Sequence, residues 1–171
     1  MLFLNNHLDS VMMLRYLSNL PYLAFFAAWL TTFTLASFFH SSMVLSELTG
    51  LEVKIDIATR LSFVGHDWLG LVGTYGVFIL LGLLLSLSFT LPIKKRIDTW
   101  RTEPSTTPFT QLKWYAFATG TMMFIVIQAM YPILEITVIA GARGFVGTVL
   151  QVLSGVMGGI IFASVKYRSQ R

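Results

Sequence analysis

The chain has 171 residues, 55% apolar and 12% charged, with a mean hydropathy of +0.72, a net charge of +4 and no cysteine. A soluble domain carries about 25% charged residues, so half that share excludes an ordinary water-soluble fold and leaves length for one membrane domain with short loops. The missing cysteine excludes thiol redox chemistry, thiolate metal sites and a Cys nucleophile; the cations lie beside long apolar runs rather than on a basic stripe, which argues against nucleic acid.

Residues 1–20 place Leu8, Val11 and Met12 near one face, with Asp9 and Arg15 elsewhere. This fits either a short interfacial helix or an extension of the first span. A cleaved leader is disfavoured, because the basic start is missing and the apolar segment behind it is too long. The first span begins near Pro21, a residue suited to a first helical turn, and no formal charge occurs from Tyr16 to Ser46. Ala28, Thr32, Ala36 and His40 recur every four residues as a stripe along which another helix can approach closely. Gly50 is a stop signal.

From Ser41 to Asp67 the net charge is −2, with Glu47, Glu52, Asp56 and Asp67 set against Lys54 and Arg60. Leu51, Val53, Ile55 and Ile57 alternate with Glu52, Lys54 and Asp56, and Asp56 can cap a short helix from Ala58 to Val64. This loop is an amphipathic segment that needs cover. The next run, Trp68 to Ile93, holds 26 residues without Asp, Glu, Lys or Arg, and ends on Lys94, Lys95 and Arg96. Residues 94–113 read as a basic loop broken by Pro104 and Pro108, with Pro108 starting the next helix behind Thr107. The third span covers about 114–140 and contains Glu135. After the turn at Gly141–Gly144 comes the fourth, about 144–165, where Gly147, Gln151, Gly155, Gly159 and Ala163 recur every four residues.

These features predict an all-α integral membrane protein: one four-helix domain over residues 1–171, with spans at about 21–46, 68–92, 114–140 and 144–165. Nine of twelve Lys and Arg fall on one side of that arrangement, so both termini are expected in the cytoplasm, with the amphipathic segment in the first outer loop. The expected location is a bacterial cytoplasmic membrane.

Counting helical rise puts His40 and Glu135 roughly 30 Å above the inner boundary, in a layer shared with His66, Asp67 and Arg143. One reading of this layer is a site that handles a proton, an ion or a headgroup; the favoured one is a set of contacts pinning helix ends. His40, His66, Asp67 and Glu135 are acceptable metal ligands without a metal-binding signature, and His40 with His66 is the one pair that could face across a haem, so no cofactor is predicted while a haem or metal ion stays open. The stripe of Gly147, Gly155, Gly159 and Ala163 is a helix-packing surface. No serine-hydrolase or phosphate-loop pattern is present, so no catalytic residue is assigned.

The function favoured is a non-catalytic accessory or structural subunit of a membrane complex or homo-oligomer. Its partners are the bilayer and a membrane protein or second copy held through the fourth helix, with no nucleic acid. The alternatives are a small carrier of protons, ions or solutes using the outer layer, and a haem- or metal-binding membrane subunit.

Overall fold

The computed structural model describes residues 22–50, 56–100, 108–134 and 144–168, and every element among them is a helix. They are α1 (Tyr22–Gly50), α2 (Ile57–Val72), α3 (Tyr75–Trp100), α4 (Pro108–Leu134) and α5 (Phe145–Arg168). The expected segment at residues 1–20, the alternating strip at residues 51–55 and the turn at residues 141–143 lie outside the described residues.

α1, α3 and α5 are long and apolar enough to cross a bilayer, over Tyr22–Gly50, Tyr75–Ile97 and Phe145–Tyr167. The chain is an all-helical membrane protein. α4 is 27 residues long, about 40 Å at about 1.5 Å per residue, and carries no formal charge after Lys113. Contacts run in a ring from α1 to α3, α4, α5 and back to α1, with the closest packing where α5 meets α1 and α4. The outside of the ring is oily: Leu23, Phe26, Leu85, Phe89, Phe117, Ile125 and Val146 are all exposed. Only a lipid solvent makes such a surface inexpensive.

The interior has two apolar centres. Near the start of α1, Ala24, Ala28, Leu87, Tyr115, Phe162 and Ala163 pack together; farther along it, Phe33, Ala36, Tyr75, Ile79, Leu83, Met122, Met123 and Met130 form the second. The first cluster joins the start of α1 and α4 to the end of α5, so α5 runs antiparallel to both. Hydroxyls in these helices turn back to the carbonyl four residues earlier, as in Thr32 to Ala28, Thr119 to Tyr115 and Thr90 to Ser86. That satisfies the group where water cannot.

Small residues set the spacing. A Cβ added at Gly159 meets Thr119 Oγ1 at 2.2 Å and the Tyr115 carbonyl oxygen at 2.4 Å; at Gly155 it meets Met123 Cγ at 2.5 Å and the Thr119 carbonyl oxygen at 2.6 Å. On the opposite side, a Cβ at Gly158 meets Thr32 Oγ1 at 1.9 Å, where the α1 stripe of Ala28, Thr32 and Ala36 is fully buried. The glycine stripe is thus taken up inside the chain, by α4.

Two boundaries differ from the sequence reading. The expected span at 68–92 is not one helix: residues 68–72 end α2, Gly73 and Thr74 form a turn, and α3 starts at Tyr75. Leu71 accepts from the amide of Thr74, whose own carbonyl accepts from Phe78, so the turn closes one helix and opens the next with no charge to mark it. At the other end the helix does not stop at the cations. It continues through Pro92 and Lys94–Arg96 to Trp100, which shortens the expected loop at 94–113, while α4 begins at Pro108 as anticipated.

α2 also outruns the short helix expected from Ala58 to Val64. Asp56 stands at its N-cap position but makes no bond to the backbone there; it accepts from the Thr59 hydroxyl, which holds its exposed carboxyl below the usual range. Val64, Asp67, Trp68 and Leu71 recur at three- and four-residue spacing as the half-buried face toward α1, whereas Ile57, Leu61 and Leu69 are exposed.

The glycines separate two kinds of position. Gly159→Ala drives a methyl into the α4 backbone and is expected to cost about 1–3 kcal/mol or to shift the helices apart. Gly70→Ala, inside α2 with nothing within 4 Å of the new Cβ, is expected to be neutral or stabilising by up to about 1 kcal/mol. Denaturant unfolding of the detergent-solubilised protein measures both, and equal effects would contradict the packing described.

Candidate functional site

α1 carries His40 and Ser41 into its contact with α2, and Asp67 faces them from the inner side of α2. His40 Nε2 lies 3.8 Å from Asp67 Oδ2, an ion-pair distance rather than a hydrogen bond. Ser41 Oγ is 2.5 Å from the same carboxylate oxygen and 3.0 Å from the Ser37 carbonyl oxygen. Its one proton therefore faces two acceptors. When Asp67 is ionised the hydroxyl donates to it; when Asp67 holds a proton, the acid donates to Ser41 and the hydroxyl turns to Ser37. His40 and Ser41 are buried, and the Asp67 side chain keeps 22% of its surface exposed, which opens this group alone to the outside.

The structure brings His40 and Asp67 together and leaves His66 apart. Successive helical positions differ by about 100°, so with Asp67 turned to α1 its neighbour points away. His66 is exposed, with Nδ1 2.9 Å from the Ser62 carbonyl oxygen, and lines a shallow groove with Ala58, Thr59 and Phe63. Glu135 and Arg143 lie outside the described residues. Among the described residues no three His, Asp or Glu side chains gather as metal ligands. His40 is buried on α1, whereas His66 is exposed on α2.

A second polar layer lies deeper. The Tyr75 hydroxyl donates to Gln151 Oε1 at 2.8 Å, and Gln151 Nε2 donates to the Ala36 carbonyl oxygen at 3.0 Å, so one amide joins α3, α5 and α1. Ser154 Oγ donates to the Gln151 carbonyl at 2.6 Å. Gln151, with a polar amide inside an apolar span, is recognisable from sequence as an interhelical donor; Ser154 bonds within its own helix and Gln128 is exposed. Tyr75 is not, because its partner is 76 positions distant and a tyrosine beside a glycine reads as a membrane-interface residue. The buried Ser37 hydroxyl has no partner among the described residues and sits between the two layers, next to Ala36 and one turn from Ser41.

The other openings are of different character. A groove of about 610 Å³ between α3 and α4 is lined by Leu85, Phe89, Ile93, Trp114, Phe117 and Ile125, and faces lipid. A wedge of about 410 Å³ at the opposite end of the bundle from His40 is polar and lysine-lined. Searches of protein-family models, curated proteins and solved structures find no match to the chain, so its function is argued from its own residues.

The Tyr75–Gln151 bond has a measurable coupling. Gln151→Leu strands the Tyr75 hydroxyl in an apolar interior, while the Ala36 carbonyl keeps its place in the α1 ladder, and is expected to cost about 1–3 kcal/mol, Tyr75→Phe less, and the double variant less than the sum. A thermodynamic cycle from denaturant unfolding tests it, and strict additivity refutes the bond.

Proposed function

We propose that this protein is a non-catalytic accessory or structural subunit of a membrane assembly, built on four spanning helices with both ends at the cytoplasmic face of a bacterial inner membrane. The observation that carries this reading is α2. It contains no buried residue, yet exposes Ile57, Leu61 and Leu69 beside a ring of helices whose buried polar side chains, among the described residues and with Ser37 excepted, have partners already. An apolar helix laid against a finished bundle is surface offered for cover. The distribution of cations supports the orientation: Lys94, Lys95 and Lys166 gather at one end, His40 and Asp67 at the other. With Gly155 and Gly159 occupied by α4, the surface left for a second chain is α2 and the lipid-facing side of the ring.

A second reading is favoured by the shared proton at Ser41. A carboxyl that can pass between two hydrogen-bonding states, beside a buried imidazole and open on one side, is suited to proton-coupled movement of an ion or solute. In that reading Glu135 belongs to the same path.

The two readings diverge under substitution. For the subunit, Leu61→Gln with Leu69→Gln is expected to reduce the size of the assembly extracted from native membranes in mild detergent, with the melting temperature of the bundle unchanged; an unaltered assembly size counts against it. For the carrier, Asp67→Asn and Glu135→Gln are expected to abolish a pH-dependent flux in proteoliposomes.

A further inference from the structure

At the end of the bundle where α3 and α5 finish, the two helices stand apart and a wedge opens between them. Lys94 and Lys95 of α3 form one wall, Lys166 of α5 the other, and Gln111 and Tyr115 of α4 the floor; Thr99 closes the rim. Three lysines therefore line one space, and no carboxylate is among the described residues that line it.

Lys166 is fixed rather than trailing in water. Its Nζ donates to the Tyr115 hydroxyl at 3.0 Å and lies 5.3 Å from the centre of that ring, and its stem runs past the buried Phe162. Lys94, on a different helix, lines the same opening. Like charges held at opposite walls of one half-buried space raise its affinity for an anion, because the anion relieves their repulsion as well as pairing with each. The wedge is flanked by the amide of Gln111, which supplies a directional contact that a bare patch of lysines lacks; the Thr99 hydroxyl is turned instead to the Arg96 carbonyl of its own helix at 2.7 Å. Basic pockets between membrane helices at this level suit phosphate headgroups.

We propose that this wedge binds the phosphate group of an anion, with Lys94, Lys95 and Lys166 as its cationic walls. Two sources carry that chemistry at a membrane surface: the phosphodiester of an anionic phospholipid and free phosphate in water.

The test uses the full chain, delipidated in neutral detergent, with thermal unfolding followed against added phosphatidylglycerol, phosphatidylcholine or inorganic phosphate. Phosphatidylglycerol is expected to raise the unfolding temperature saturably, and phosphatidylcholine not. Lys95→Gln, at an exposed position where folding is undisturbed, is expected to weaken the apparent affinity about fivefold, and Lys94→Gln with Lys95→Gln about 25-fold. Arg60→Gln, at the opposite end, is expected to change nothing. A shift from phosphatidylglycerol alone assigns the wedge to a lipid headgroup; one reproduced by inorganic phosphate assigns it to the free anion. No saturable shift with either, or one that Lys95→Gln and the double variant leave intact, overturns the proposal.

Discussion

Everything else in this bundle depends on how closely α5 can approach its neighbours. Inside a bilayer, burying an apolar side chain against another gains little over burying it against lipid, so helices are held by dispersion contacts and by polar bonds that need short distances. Gly155 and Gly159 bring the α5 backbone onto that of α4, and Gly158 brings it onto α1 at Ala28 and Thr32. That approach is what lets Gln151 reach the Ala36 carbonyl and Tyr115 meet Phe162 edge-on, with ring centres 5.0 Å apart. Widen the spacing by one methyl and both are lost together.

The polar groups follow a gradient along α1. Low in the bundle, hydroxyls are silenced by their own helices; at the level of Ala36, a tyrosine and a glutamine bond across three helices; at the far end, the Ser41 hydroxyl lies between a carboxylate and a carbonyl, with an imidazole 3.8 Å from that carboxylate. The cost of an unpaired group falls in the same direction as water becomes reachable. The Gln151 layer is closed, whereas the Asp67 side chain keeps 22% of its surface exposed.

What could be read from the sequence was what depends on local composition or on regular spacing. The start of α4 at Pro108, the apolar reach of α1 and the four-residue stripes on α1 and α5 all follow from side chains and their period. Counting rise along a helix placed His40 and Asp67 at one level, and they meet. It said nothing about azimuth, and His66, next to Asp67 on α2, is exposed, since adjacent positions face different ways. The break at Gly73–Thr74 was invisible since hydropathy runs through it unchanged, and the end of α3 was set too early because three cations do not stop a helix when their stems can reach outward. Tyr75 escaped notice for a different reason: only the folded chain reveals a partner on another helix.

That interruption at Gly73–Thr74 divides labour along the polypeptide. Tyr75, the first residue of α3, is clamped to Gln151, while α2 is fastened to α1 chiefly through Asp67 and Trp68, the latter donating to Thr34 at 3.3 Å. The joint does not isolate the appended helix from the ring: Trp68, its ring centre 5.2 Å from that of Phe33, packs with Leu71 and Val72 against the cluster that holds Tyr75. A change at the exposed Ile57 or Leu61 leaves that seam alone, whereas one at Asp67 or Trp68 calls for an answering change at Ser41, Thr34 or Phe33.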